Sequence, residues 1–223
     1  FKHFNHLSDR RMPLGLSQDQ LAAIRPELFA LMERVKEHAA SAVEELRPIQ
    51  ARARDRGREG IWTDAERESF AAGFQIRERA VREVVRIYRT WMEEELSPVL
   101  SPGQLRSIDF VHRRFERIVH WQAAYLARHQ SRLDPVWFML DSLRASHLDD
   151  PAAMGAVLAL LRQADVQVTR SLRRLFHEEE KDRRRVFTSI NIQRFNELTE
   201  DEIALWRRHA RLRLAREKKF ARL

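Results

Sequence analysis

Apolar residues recur along this chain at helical spacing, and nowhere do they alternate as they would along a strand. From 27 to about 56 they fall at Leu28, Met32, Val35, Ala39, Ala42, Leu46 and Ile49, a 4-3-4-3-4-3 spacing. That is the seam of an antiparallel hairpin or coiled coil. The run ARARDRGREG (51–60) ends this helix with Gly57 and Gly60. A second helix is expected from Thr63 to about Glu95, with Phe70, Phe74, Val81, Val84, Tyr88 and Trp91 on one side and Ser97-Pro98 closing it. A third follows Ser101 and carries Leu105, Ile108, Val111, Phe115, Ile118, Gln122 and Tyr125. Leu133-Asp134-Pro135 breaks the pattern before a short helix through Leu143. Asp149-Asp150-Pro151 then opens another helix, its seam Met154, Leu158, Leu161, Val168, Leu172 and Leu175. The last helix starts at Thr199 and continues to the end.

Three helix starts share one pattern: GLSQDQLAAI (15–24), VLSPGQLRSI (99–108) and ELTEDEIALW (197–206). Ser17 with Gln20, Ser101 with Gln104 and Thr199 with Glu202 each fit a capping box, in which the hydroxyl accepts from the N3 amide and the Gln or Glu reaches back. Leu16 with Leu21, Leu100 with Leu105 and Leu198 with Ile203 supply a hydrophobic staple to each. Thr63 to Glu66 is a fourth box, without a staple because Arg67 stands at N4. The order of signals is kept between halves: Leu46-Arg47-Pro48 corresponds to Leu133-Asp134-Pro135, and Trp62-Thr63-Asp64 to Leu148-Asp149-Asp150. This predicts an internal duplication in which the middle motif closes one unit and opens the next through a continuous helix after Ser101. The expected divisions are an N-terminal arm (1–13), a first unit (14–104), a divergent second unit (105–206) and a basic C-terminal helix or tail (207–223).

A motif of this type before a hairpin of long helices, with a second after it, resembles the Spy/CpxP family of bacterial envelope stress proteins. Leu16, Ser17 and Gln20, and Leu100, Ser101, Pro102 and Gln104, carry the likeness to the family's LTxxQ motif; Leu198, Thr199 and Glu202 form a weaker third copy. The resemblance implies an all-α fold of long antiparallel hairpins, here two tandem Spy/CpxP-like units in an elongated or curved bundle. It also implies a periplasmic, ATP-independent chaperone that holds unfolded clients on a basic face, or a periplasmic metal or stress sensor. Relatives often dimerise; the shared middle motif suggests that one chain supplies both halves of a cradle, so a monomeric pseudo-dimer and a homodimer both stay open.

Composition adds direction. The 223 residues hold no Cys, which excludes disulfides and thiol-based metal sites. No apolar run is long enough to span a membrane. The chain opens at Phe1 rather than Met, which points to an upstream segment. A formal charge of +8 favours acidic or amphipathic partners. Most of the surplus lies between 207 and 223, with eight Lys or Arg against one acid. Candidate partner-binding cations are Arg52, Arg54, Arg56 and Arg58, then Arg183, Arg184 and Arg185, then Arg207, Arg208, Arg211 and Arg213. The alternative for these runs is a solvated helix face. No nucleic-acid reading module is present, so specific nucleic-acid binding is not expected. Trp62, Trp121, Trp137 and Phe138 are candidate apolar client contacts, or else core residues.

Chemistry is thinner. His112, Glu116 and His120 share one helix face as weak metal candidates, but the outer two stand about 12 Å apart along the axis and cannot both bind one ion. Glu93-Glu94-Glu95 and Glu178-Glu179-Glu180 are consecutive and so point around their helices rather than converging. No phosphate loop or nucleophile elbow occurs. The expectation is a binding protein without cofactor or catalysis, taking unfolded or partner proteins; the competing class is an accessory helical subunit of a larger envelope complex.

Overall fold

A computed structural model describes Leu14 and residues 16–59, 62–123, 136, 151–189 and 198–220; among them every regular element is helical and no strand occurs. The fold is all-α, as the periodicity requires. Its helices are α1 (Gln18–Glu59), α2 (Asp64–Trp91), α3 (Pro102–Leu105), α4 (Ile108–Ala123), α5 (Pro151–Ser189) and α6 (Glu200–Phe220). The short helix expected through Leu143, and the Leu133-Asp134-Pro135 break, lie outside the described residues.

Helix α1 runs 42 residues from its Ser17 cap, straight through Pro26 and Pro48. Each proline removes one N–H and crowds the carbonyl four residues earlier. Both rings stand on the exposed side, where the carbonyls of Ala22 and Glu44 are free to tilt toward water. Gly57 sits inside the helix, and Gly60 lies outside the described residues. Helix α2 ends in a π-helical turn, Met92–Leu96, because the Ser97 N–H bonds to the Met92 carbonyl five residues back. The Ser97 hydroxyl donates to the same carbonyl at 2.8 Å. A 3-10 turn, Ser97–Val99, follows and leads to the Ser101 cap.

After Ser101 the expected continuous helix is interrupted. α3 is a single turn, and Arg106-Ser107 form a turn before α4 begins. There the Ser107 N–H bonds to the Gln104 carbonyl, a three-residue closure that tightens the chain out of the α-helical ladder. Leu105, expected to staple onto Leu100, is left 39 % exposed while Leu100 is buried.

The chain divides into two compact units, and neither is a contiguous stretch. One comprises residues 1–36 and 84–173, the other 37–83 and 174–223. In the first unit Leu14, Ile24, Leu31, Tyr88, Trp91, Met92, Leu96, Leu100, Val111 and Phe115 form one core. Tyr88 stacks on Phe115 with ring centroids 3.7 Å apart. Burial pushes the Tyr88 hydroxyl far above its ordinary pKa, against a lowering influence from Arg114.

In the second unit, the described part of α1 packs on α2 at Gly73, where a Cβ would stand 3.3 Å from Leu46 Cδ2 and 3.7 Å from Ile49 Cγ2. Glycine therefore permits the close approach. Phe70 and Phe74 of α2 meet Phe187 of α5 at 4.9 and 5.3 Å between ring centroids. Helices α5 and α6 are joined by charge: Arg216 pairs with Glu178 (3.2 Å), Glu179 (3.5 Å) and Asp182.

Candidate functional site

Two of the four capping boxes do more than cap. In the first unit the Ser17 N–H donates to Gln20 Oε1 at 2.9 Å, and the Gln20 N–H to Ser17 Oγ at 3.2 Å. Ser101 and Gln104 repeat this at 2.9 and 3.4 Å. The two glutamines then face each other across 84 residues of sequence. Gln20 Nε2 donates to Gln104 Oε1 at 2.8 Å, and Gln104 Nε2 donates to Gln20 Oε1 at 3.1 Å. Each amide also reaches the backbone that leads into the other motif: Gln20 Nε2 donates to the Val99 carbonyl and Gln104 Nε2 to the Leu14 carbonyl, both at 2.7 Å. A cyclic amide pair thus fastens the start of α1 to the start of α3.

The other two boxes carry Glu at N3. Glu66 Oε2 accepts from the Thr63 N–H at 2.8 Å, and Glu202 Oε2 from the Thr199 N–H at 2.9 Å. A carboxylate caps as well as an amide but has no hydrogen to return, so it cannot form the reciprocal pair. The third motif copy, Leu198-Thr199-Glu202, therefore caps α6 without the chemistry that joins the first two.

A buried polar network holds α4 to α5 in the same unit. Asp165 is fully buried and accepts from Arg113 and from Arg117, itself 2 % exposed. Arg117 also donates to Thr169 Oγ1 at 2.9 Å, and Thr169 to the Asp165 carbonyl at 2.7 Å. Glu116 is paired with Arg173 at 2.6 Å. The His112, Glu116 and His120 face is consequently built into the packing. The His120 Nδ1–H donates to the Glu116 carbonyl at 2.8 Å, and the His112 ring stacks on Tyr88. Burial lowers the pKa of both histidines, opposed in each case by Glu116. Among the described residues no three of His, Asp or Glu converge to hold an ion.

The basic candidates separate by environment. Arg183 lies against Glu179 (3.2 Å) and Glu180 (3.3 Å), and Arg213 against Glu179 (3.8 Å), so these two serve the second unit's own ion pairs. Arg184, Arg185, Arg207, Arg208 and Arg211 are exposed. On α6 they are interleaved with apolar side chains that also face water: Trp206 and Leu212 are 40 % exposed and Leu214 is 52 % exposed. Arg52 is exposed at a cleft of about 140 Å³ whose other walls include Ile49, Ala53, Trp62, Ser69 and Phe70. Trp62 makes an edge-on contact with Phe70 at 5.1 Å, and its buried indole N–H has no hydrogen-bond partner among the described residues. The side chains of Arg54, Arg56, Arg58 and Trp121, and residues Trp137 and Phe138, lie outside the described residues.

Sequence reasoning placed the caps but missed the glutamine pair, the Arg117–Asp165 network and the exposed Phe29, Val43 and Leu160. For the pair a signal existed: Gln at N3 in the copies at 20 and 104, Glu at 66 and 202. No family model matches the chain, and no curated protein or solved structure matches it either.

Proposed function

We propose that this protein is a binding protein that holds unfolded or partner polypeptides on a basic, partly apolar helical surface, in the manner of the periplasmic Spy/CpxP-like chaperones. The observation that carries the reading is the surface of α6. Arg207, Arg208 and Arg211 are exposed and have no ion pair among the described residues, and Trp206, Leu212 and Leu214 are exposed among them. A segment rich in acidic and apolar residues gains charge neutralisation and apolar burial together on such a face. The Trp62–Phe70 cleft, with Arg52 at its edge, offers a second place for an apolar side chain. The family likeness is supported by the meeting of Gln20 with Gln104, which gives the repeated motif a shared role beyond capping. Periplasmic location follows from that likeness and belongs to the same proposal.

The test is suppression of aggregation of an unrelated unfolded protein by the purified chain, followed by light scattering at increasing ratios. Suppression near equimolar ratio, weakened by Arg207→Ala/Arg211→Ala, supports the reading. No suppression, with stable co-purification of a single partner, assigns the chain instead to an accessory subunit.

A further inference from the structure

Two exposed stripes on this chain are complementary in charge and in register. On α6, Arg213 and Arg216 turn to the acidic residues of α5, which leaves the opposite side of the helix for Arg207, Arg211, Leu214 and Lys218. These stand at i, i+4, i+7 and i+11, one continuous row along an α-helix. All four are exposed, and none of the three cations has an ion pair among the described residues. On α1, Glu33, Glu37, Ala40 and Glu44 stand at the same spacing and are likewise exposed. The correspondence extends one step back, where exposed Phe29 matches partly buried Ile203.

We infer that the occupant of the α6 stripe is α1 of a second copy of this chain. In parallel alignment Glu33 meets Arg207, Glu37 meets Arg211 and Glu44 meets Lys218, while Ala40 faces Leu214 and Phe29 faces Ile203. The spacing reads the same in reverse, but the order of residue types does not: antiparallel, Arg211 meets Ala40 and Leu214 meets Glu37, and a shift of one step puts Pro48 opposite Arg207. Charge complementarity at fixed register selects an ordered helical partner over an arbitrary acidic coil. A membrane surface fits less well. The outward row of α6 is cationic with Leu214 alone among it, whereas interfacial helices bury a broad apolar face.

Glu33 and Glu44 already contact Lys36 (3.2 Å) and Arg47 (2.6 Å) on their own helix. Those exposed pairs are weak and readily exchanged. The seam is about three helical turns long, which places it in the small, transient class of interface. It uses the outward stripe of α1, not the Leu28 to Ile49 seam, so it is compatible with one chain being a complete folded body. The contact does not depend on client binding, although a client on α6 would compete with it.

Sedimentation of the full chain at rising concentration and two salt levels tests this. The wild type is expected to self-associate weakly at about 50 mM salt and to dissociate at about 500 mM, where exposed charges are screened. Glu33→Lys/Glu37→Lys and Arg207→Glu/Arg211→Glu should each weaken association at least about tenfold. Mixing the two charge-reversed proteins should restore it as a heteromeric complex. Circular dichroism of each variant confirms that its helices are intact, and Arg207→Gln/Arg211→Gln gives a milder change should a reversal disturb folding. A wild type that stays monomeric overturns the inference, as does association that either reversal leaves unchanged or that mixing fails to restore. Binding of α6 to anionic vesicles or an acidic peptide by a strictly monomeric chain also overturns it, and transfers the stripe to that partner.

Discussion

Replacing Gln104 by Glu exchanges one NH2 for an oxygen and changes almost nothing in size. The capping box survives, because either oxygen accepts from the Ser101 N–H. The lost hydrogens are the ones given to the Leu14 carbonyl at 2.7 Å and to Gln20 Oε1 at 3.1 Å. The new oxygen faces two acceptors at those distances. Leaving a partly buried carbonyl unpaired costs about 1–3 kcal/mol, and acceptor opposite acceptor adds to it, so a loss of about 2–3 kcal/mol is expected. Urea unfolding followed by circular dichroism measures it, with Glu202→Gln as the converse change at a solitary box, expected within about 0.5 kcal/mol of wild type. The environment favours the protonated form of the introduced carboxyl, raising its folded pKa above the unfolded value. The deficit should therefore shrink as pH falls toward the ordinary carboxylate range of about 4, where an O–H returns one donor. A loss no larger than that of Glu202→Gln, or a deficit insensitive to pH, would refute the role given to the amide pair.

Asp165→Ala should cost about 3–5 kcal/mol, because it removes the fully buried carboxylate that faces both Arg113 and the buried Arg117. The double change Asp165→Leu/Arg117→Met should recover most of that loss in the same unfolding assay. Stability should fall as pH drops from about 6.5, since buried His112 and His120 bind protons less readily folded than unfolded. His120→Asn keeps a donor toward the Glu116 carbonyl and removes the titrating ring; the unfolding midpoint should lose part of its change between about pH 7.5 and 5.5. An unchanged pH profile would assign the effect to other groups.

Local determinants on this chain are readable without a structure. Spacing of Leu28 through Ile49 makes α1 a helix, and Ser17, Thr63, Ser101 and Thr199 set helix starts through bonds that span three residues. Such contacts depend on the sequence in their own window. The same reasoning misjudged the step after Ser101, where a local turn at Arg106-Ser107 takes over after one helical turn. It also offered Arg183 and Arg213 as partner-binding cations, whereas α5 supplies carboxylates to both: Glu179 and Glu180 lie one turn from Arg183 on the same helix, and Glu179 also meets Arg213 of α6. His112, Glu116 and His120 shared a face as expected, but it is an interior face, and Arg173 takes the carboxylate.

The sequence by itself determined that the chain is helical and where its helices are capped, because periodicity and capping are short-range physics. Only tertiary structure decided which caps meet, which charges are neutralised and which are left facing water. Those outcomes turn on residues far apart in sequence: Arg216 and Asp182 are 34 positions apart, Arg117 and Asp165 48, and Gln104 and Leu14 90. No local pattern specifies them, and one NH2 group, present in glutamine and absent in glutamate, separates a helix cap from a clasp.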